Sequence, residues 1–461
     1  MPGASKASAQ VIASREAGLL HQLTAGQMTM VGVGGSIGTG LLLGSGAAIN
    51  IAGPAVILSF LAAGLITWTV TMALGEMASV HPAAGSFGLY AEVYLNDWAG
   101  FISRYAYWVG IAIAIGAELV ASATYMAYWF PQVHAVIWVV VFSAALLAVN
   151  LRAVGHYGRL EYWFAMIKLV TVLAFIVIGA GLLLGGRVAP QYTAHGGFFP
   201  NGYAAPALAM SFAIFTFAGV EMVAISSGES RSVAEVPRAV RMTFALLAMV
   251  YMGAIMVLVG VMPWNRAGTA ESPLVTVFRI AGLPAASHVM NFVVLSAALS
   301  GANASLYVDS RLLFSLARDG YAPARLGRLS HVGSPVFALL ASSFGIVLAP
   351  IMERWAPQSA YVYLLGAALF GLLLSWSIAL LSHISFRRRL AQGQLAGLPM
   401  RSSGGSWASW AGFAGIVGSL VATWWASRVT VVSGVVYVVI LSLAYLLIRK
   451  RQPDSAAPEV E

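Results

Sequence analysis

The sequence has no cysteine among its 461 residues. Disulfides, thiolate nucleophiles and cysteine-bound metals are therefore excluded, although a chain without thiols is compatible with any redox compartment. The eight histidines are scattered without the spacing of metal ligands. We therefore expect neither a metal nor another cofactor.

Charge is scarce too, because only 9% of the residues are charged and 59% are hydrophobic. No soluble core of this size takes up so much apolar side chain, so the composition predicts a multispan membrane protein in a lipid bilayer. Stretches of about 20 apolar residues are long enough to cross the bilayer. Twelve such spans are predicted, at residues 26–50, 54–79, 99–129, 133–150, 162–185, 205–226, 241–263, 285–306, 335–352, 359–383, 408–426 and 429–448.

The lysines and arginines predict which side of the membrane each connecting segment faces. If the N-terminus is inside, nineteen of the 25 basic residues fall in inner segments and Lys168 lies within a span, in agreement with the positive-inside rule. The outer segments then hold only Arg187, Arg266, Arg279, Arg354 and Arg428. We therefore expect both termini in the cytoplasm. Since the net charge of +9 is spread over many inner segments, no nucleic-acid partner is expected.

The predicted organisation has four parts. Residues 1–23 form a cytosolic tail that lacks the apolar core of a signal peptide. Residues 24–400 hold the first ten spans, 401–450 hold spans eleven and twelve, and 451–461 form a second cytosolic tail.

The first span contains an unusual density of glycine, in the stretch GVGGSIGTGLLLGSG at residues 32–46. Glycine costs about 1 kcal/mol relative to alanine in a helix interior, so this span is the easiest place for a helix to unwind. Close helix packing through small residues is the alternative interpretation. A nucleotide loop is not expected, because no Gly-Lys-Ser/Thr follows and no strand precedes.

The sixth span offers a matching weak point in SFAIFTFAGVEMVAISSGES, where Ala218 and Gly219 are followed by Glu221. Many transporters are built from two inverted halves that each contain a discontinuous helix. The two weak points lie about 180 residues apart, which is the length of one five-span half. Position alone therefore predicts a five-plus-five inverted repeat with broken first and sixth helices.

Broken helices in a membrane predict a site, because unwound backbone is tolerated only where it is buried in protein or lines a cavity. A break exposes N–H groups on one side and carbonyls on the other, which suits the carboxylate and ammonium of an amino acid. In this hypothesis the substrate carboxylate meets N–H groups and hydroxyls of the first break, and the amine meets carbonyls near Ser36, Phe215 and Ala218. The residues expected at the carboxylate are Ser36, Ile37, Gly38, Thr39 and Gly40.

Six segments along the chain resemble a known family. They read GGSIGTGLLLGSG, GEMASVHPAAGSF, AELVASATYMAYWFP, EYWFAMIKL, FAGVEMVAISSGES and SRLLFSLARDGYAP. Together they are similar to bacterial amino acid permeases of the amino acid-polyamine-organocation superfamily, in the branch with proline, aromatic amino acid and GABA permeases. The resemblance runs from about His21 to the twelfth span. It implies an all-α LeuT-like fold, alternating access and proton-driven amino acid uptake across the cytoplasmic membrane, with Phe215 as an aromatic lid and Gly219 beside the substrate.

Charges inside the spans are functional candidates, since each costs at least a few kcal/mol there. The resemblance implies that Lys168 in the fifth span occupies the place where sodium-coupled relatives hold a cation, and thus that it carries the coupling proton. A static pair with Glu161, seven residues earlier on the same helix face, is the alternative. Glu221 is expected either to change protonation as the gate moves or to cap the second half-helix.

Two further acids are expected in a pocket or gate. Glu118 in the third span either touches the pocket or pairs with a buried donor, and Asp309 in the eighth span suggests an intracellular gate with Arg311 and Glu76. No acid other than Glu118 is placed to meet a cationic side chain, so we expect a neutral substrate.

Other function classes fit less well. The mid-membrane groups form no nucleophile with a base and no metal triad, which argues against an enzyme. An exchanger of the same fold, or a permease for GABA or another non-alpha amino acid, stays open as an alternative.

Overall fold

The computed structural model describes residues 22–82, 86–152, 157–330, 334–390, 394–395, 397–426 and 428–449. Their regular structure is helical. The α-helices are Ala25–Ser36, Ser45–Ala52, Val56–Val80, Ser86–Tyr94, Asp97–Ala127, Ala135–Arg152, Tyr157–Leu184, Ala205–Leu208, Met210–Thr216, Met222–Ile225, Glu235–Val261, Pro273–Ile280, Pro284–Arg318, Val336–Ser342, Phe344–Trp355, Ala360–Arg389, Gly405–Ala426 and Arg428–Arg449. The two predicted cytosolic tails lie almost entirely outside the described residues.

The membrane prediction is confirmed by the length and composition of these helices. Eight described helical runs are long and apolar enough to cross a bilayer. The predicted spans one and six coincide with interrupted helices. Span four is a shorter apolar helix, and span eleven is the helix Gly405–Ala426. A twelve-span arrangement is therefore compatible with the structure. The helix of span twelve leaves Val435, Val439 and Leu443 more than half exposed, as expected for a face that contacts lipid.

Local sequence explains where the helices begin and end. Thr24 caps the first helix by accepting from Gln27 N–H at 3.4 Å, while the Gln27 side chain accepts from Thr24 N–H at 3.0 Å. The third span begins after Asn96, whose side chain accepts from Ala99 N–H at 2.9 Å.

The spans pack as two groups. Span three lies along spans eight, nine and ten, whereas spans one, two, six and seven pack against one another. Small residues permit the close approach in the first group, because Gly345 lies against the carbonyl of Ala112 and Gly371 against that of Ala106. Span five contacts spans one, seven and eight. The functional residues predicted from the sequence lie where these groups meet.

Candidate substrate and proton site

The first span is broken at the glycine cluster, as predicted. Its first helix ends at Ser36, and Ile37 leaves helical geometry with φ −78° and ψ 86°. A single π-helical turn over Gly40–Gly44 precedes the second helix, Ser45–Ala52. Such turns occur frequently at functional sites because they displace the backbone from the regular hydrogen-bond ladder. We call residues Ile37–Thr39 the first break.

The sixth span is broken as well. Its helix Met210–Thr216 ends before a turn of five residues, and a short helix resumes at Met222. Gly219 in this turn has φ +99°, a conformation that side-chain-bearing residues rarely adopt. We call residues Phe217–Glu221 the second break. The sequence prediction of two broken helices is therefore confirmed.

The two breaks lie against each other, and each interrupts the interior of its span. A Cβ added to Gly219 would lie 2.5 Å from the carbonyl carbon of Gly35 and 2.8 Å from the nitrogen of Ser36. A Cβ added to Gly40 would lie 3.3 Å from the Phe215 ring. Glycine thus permits the backbone contact, and the ring predicted to act as a lid lies beside Gly40, directly after the first break.

Two hydroxyls at the first break lack partners. Ser36 Oγ and Thr39 Oγ1 are buried and have no hydrogen-bond partner among the described residues. An unsatisfied buried polar atom costs about 1–3 kcal/mol. Both residues were singled out from the sequence as carboxylate ligands, and the structure places both of them at the first break.

The backbone groups of the first break are partly occupied. Ile37 N–H donates to Val33 O at 2.9 Å, and Gly38 N–H donates to Ser36 O at 3.0 Å. In the second break, Phe215 O accepts from Ala218 N–H at 3.0 Å. Since a carbonyl oxygen accepts two hydrogen bonds, the carbonyl of Phe215 retains capacity for an ammonium group.

Glu118 of span three reaches the first break. Its Oε1 accepts from Thr39 N–H at 3.3 Å, and the carboxyl group lies beside Gly38 and Gly301. Its Oε2 is buried without a hydrogen-bond partner in the described part of the chain. Glu118 therefore accepts from a buried donor of the first break.

Lys168 of span five is 2% exposed, and its Nζ donates to Gly34 O at 3.2 Å. Gly34 lies in the last turn of the first helix, where carbonyls lack intrahelical partners and a cation is favoured. Lys168 also lies close enough to Glu118 for their charges to interact. The side chain of Glu161, the alternative partner, lies outside what the structure describes.

Glu221 caps the second break from within. Both of its carboxyl oxygens accept from Gly219 N–H, at 3.2 and 3.1 Å. Its Oε1 also accepts from the Tyr107 hydroxyl of span three at 2.8 Å. This acid therefore joins the second break to the other group of spans.

Sequence reasoning missed three hydroxyls that hold the first span. Tyr251 donates to Ser36 O at 2.7 Å, Tyr361 donates to Thr39 O at 2.8 Å, and Ser272 donates to Leu42 O at 2.7 Å. Each comes from a residue more than 200 positions away. A tyrosine within an apolar span was the one available signal, because its hydroxyl needs a partner when buried.

The acids expected near the inner side have separate partners. Glu76 accepts from the Arg387 guanidinium through both oxygens, at 2.6 and 3.0 Å, and from the backbone N–H of Ser402. Asp309 is fully buried, while Arg311 lies over the ring of Tyr307. Glu76 is therefore tied to span ten, and Arg311 contacts a ring of its own helix.

A cavity of about 1040 Å³ lies on the predicted outer side. Its lining includes Arg266, Glu271, Arg279 and Tyr361. The Tyr361 hydroxyl in this lining donates to Thr39 O of the first break. No group of three or more metal-ligating side chains is found within the described ranges.

A family model and two relatives of known sequence identify the same family. The family model described as "Amino acid permease" matches residues 27–455. The gamma-aminobutyric acid permease of Bacillus subtilis is 34% identical over 452 residues, covering 96% of each chain. The aromatic amino acid transport protein AroP of Escherichia coli K12 is 36% identical over 377 residues, covering 80% of this chain and 82% of the relative.

A solved structure has a similar fold. A manganese transporter from Eremococcus coleocola aligns with a TM-score of 0.59 over 92% of each chain, at 12% sequence identity. At that identity the likeness concerns the fold alone. The all-helical LeuT-like architecture expected from the sequence is thus confirmed.

Proposed function

This chain belongs to the amino acid permease family, and we propose that it imports a neutral amino acid by alternating access coupled to protons. The observation that carries the proposal is the first break. There the buried Ser36 and Thr39 hydroxyls have no hydrogen-bond partner among the described residues, Glu118 accepts the Thr39 N–H, and the Lys168 ammonium donates to Gly34 O. The relatives are named as permeases and transport proteins, not enzymes.

The substrate carboxylate fits the first break on chemical grounds. The Ser36 and Thr39 hydroxyls are donors with no hydrogen-bond partner among the described residues, and the helical turn that follows begins at Gly40. The first N–H groups of a helical segment favour an anion. Glu118 accepts the Thr39 N–H. We infer that an arriving carboxylate takes over this N–H and that Glu118 then turns toward the substrate ammonium.

A neutral side chain is favoured by the charge balance. Lys168 and Glu118 offset each other at the break, and Glu221 is occupied by Gly219 and Tyr107. No single charge in this set is left to compensate a charged side chain. Phe215 over Gly40 supplies an apolar wall. The relation to the GABA permease favours a second candidate, a non-alpha amino acid whose two charged ends reach the same two breaks.

Lys168 is the proposed proton carrier. In its charged form it stabilises the carbonyl end of the first helix at Gly34 and offsets Glu118. Loss of the proton removes both effects, which weakens the connection between spans one, three and five. Proton release is thus linked to a rearrangement of the first break. The proposal includes residence in the cytoplasmic membrane with both termini inside.

The test is uptake by purified protein in liposomes with an imposed inward proton gradient and a panel of labelled amino acids. The panel contains aromatic amino acids, proline, a cationic amino acid and GABA. We expect accumulation of a neutral amino acid that collapses when the gradient is dissipated. Accumulation that ignores the proton gradient but requires internal substrate, or sodium, would replace the proposal by an exchanger or a sodium symporter.

Replacement of Glu118 by glutamine is expected to reduce gradient-driven uptake about tenfold or more, equivalent to roughly 1.4 kcal/mol. Glutamine still accepts the Thr39 N–H, but it no longer offsets the Lys168 charge or meets the substrate ammonium. Initial uptake rates at several substrate concentrations measure the effect. Ser122→Ala is the matched control, because that hydroxyl donates only to Glu118 O within the same helix. Equal uptake by Glu118→Gln and the control would contradict a charge-dependent role.

A further inference from the structure

The carbonyl end of the first helix is an obvious place for a substrate ammonium, because the last four carbonyls of a helix lack intrahelical partners and carry partial negative charge. In the helix Ala25–Ser36 these carbonyls belong to residues 33–36. The sequence hypothesis places the amine at this end, near Ser36. Whether an ammonium is accepted there depends on which donors of the protein already use the four carbonyls.

Donors of the protein occupy the first two of these carbonyls. Val33 O accepts from Ile37 N–H at 2.9 Å, and Gly34 O accepts from the Lys168 ammonium at 3.2 Å. The positive charge of Lys168 also repels a second ammonium that approaches this end of the helix.

The last two carbonyls are closed as well. Gly35 O lies against Gly219, because a Cβ added to Gly219 would lie 2.6 Å from that oxygen. Ser36 O accepts from Gly38 N–H at 3.0 Å and from the Tyr251 hydroxyl at 2.7 Å. Since a carbonyl oxygen has two lone pairs, these two donors use the full capacity of Ser36 O. Tyr251 is therefore the side chain that closes the end of the helix.

Packing fixes Tyr251 in this position. Its side chain is 0% exposed, and its ring packs edge-on against Phe217 with the ring centroids 4.8 Å apart. Span seven, which carries Tyr251, belongs to the same packing group as span one. A shift of one packing group against the other therefore leaves the hydrogen bond between Tyr251 and Ser36 in place.

The Glu118 carboxyl group supplies an acceptor at the first break that the protein leaves open. One of its oxygens accepts from Thr39 N–H at 3.3 Å. The other oxygen is buried and has no hydrogen-bond partner within the described ranges. A carboxylate also binds an ammonium more strongly than a neutral carbonyl does.

We propose that Tyr251 is a positioning residue for the substrate, which fills Ser36 O and thereby directs the substrate ammonium to Glu118. The inference rests on the proposed function and adds the ligand of the ammonium to it. Recognition of the ammonium at the first break then depends on one carboxylate instead of the helix carbonyls. Analogues without an ammonium are rejected, because they leave the second Glu118 oxygen buried and unpaired.

The test compares amino acids with analogues that lack only the ammonium group. The pairs are phenylalanine with hydrocinnamate, leucine with isocaproate, alanine with propionate, and GABA with butyrate. Competition with the labelled amino acid that the wild type accumulates gives an inhibition constant for each compound. The ratio of the two constants within a pair measures recognition of the ammonium, and a general loss of rate or stability does not change it.

The proteins compared are the wild type, Tyr251→Phe, Glu118→Gln and the double variant. The Tyr251→Phe ring still packs against Phe217, but one lone pair of Ser36 O becomes free. We expect Glu118→Gln to lower the discrimination between amino acid and analogue about tenfold. The double variant should regain about threefold of this loss, because the freed carbonyl accepts the ammonium as one neutral acceptor.

Tyr437→Phe is the matched control. Its hydroxyl also donates to a backbone carbonyl, that of Tyr105 in span three, at 2.8 Å. Combined with Glu118→Gln, this control should regain none of the lost discrimination.

The outcomes separate the two proposals. A wild type that accumulates none of these amino acids in response to a proton gradient overturns the proposed function. A wild type that transports them, with unchanged discrimination in Glu118→Gln, overturns the assignment of the ammonium to Glu118 and leaves uptake intact. If the effects of the two single variants add in the double variant, Tyr251 only supports the first helix and its positioning role is overturned.

The single variant Tyr251→Phe gives a further readout if the double variant does not fold. With Glu118 present, the free lone pair of Ser36 O is an additional acceptor. This variant should therefore bind the amino acid at least as tightly as the wild type and discriminate against the analogue at least as well. Weaker discrimination in Tyr251→Phe would overturn the inference.

Discussion

Gly219→Ala is expected to abolish transport while leaving a folded membrane protein. The residue has φ +99°, and an added Cβ would lie within 2.5–2.8 Å of the backbone of Gly35 and Ser36. The positive φ alone costs an alanine of order 1–3 kcal/mol. The contact adds to this cost because its partners are backbone atoms, which cannot turn aside as the end of a flexible side chain does. The two breaks must therefore separate.

The expected size of the effect is a fall of roughly 100-fold or more in the initial uptake rate, corresponding to about 3 kcal/mol. Substrate binding to the purified variant should weaken in parallel, because the two breaks proposed to hold the substrate no longer meet. Uptake in liposomes and a direct binding measurement together test this expectation.

Gly64→Ala provides the control. Gly64 lies in span two, and a Cβ there would meet the Phe217 ring at 3.6 Å, an ordinary van der Waals distance. This variant should transport at nearly the wild-type rate. Wild-type activity in Gly219→Ala would show that the two breaks do not need their close backbone contact.

Lys168→Met is expected to eliminate proton-driven accumulation while exchange of substrate between the two sides survives. Methionine has similar length and no charge, so it fills the buried space without donating to Gly34 O. With a one-unit pH gradient, the accumulation driven by this proton should fall by about tenfold. Counterflow of labelled substrate against an internal pool measures the remaining exchange.

Lys168→Arg separates a coupling lysine from a static one. Arginine keeps the positive charge but does not lose its proton in proteins. If Lys168 carries the coupling proton, the arginine variant also fails to accumulate substrate. If the charge only stabilises the first helix beside Glu118, arginine restores accumulation and methionine does not, which would remove Lys168 from the coupling step.

Much of the site was predictable from short windows of sequence. The glycine cluster around Gly38 and the Ala218–Gly219 pair mark the two breaks because helix propensity is a local property of a few neighbouring residues. A charge within a long apolar run, such as Lys168, is visible for the same reason. Ser36 and Thr39 follow from their place in the first break.

The interaction partners of these residues were harder to predict from the sequence. Helical spacing offers Glu161 to Lys168, and it does not reveal that the ammonium donates to Gly34 O of the first helix. Asp309 and Arg311 are neighbours in sequence, yet the Arg311 guanidinium lies over the ring of Tyr307. Local spacing identifies which residues share a helix face, whereas it does not specify which face of another helix lies opposite.

A helical membrane protein, two broken spans, the polar residues near those breaks and the family can all be read from the amino-acid sequence. These properties depend on composition, local propensity and short motifs. Three features emerge only from the folded chain: Gly219 lies against Gly35, Tyr251 and Tyr361 hold the first span, and Glu221 accepts from Tyr107. Such contacts join residues more than 100 positions apart, and they arise from the packing of whole helices rather than from any window of the chain.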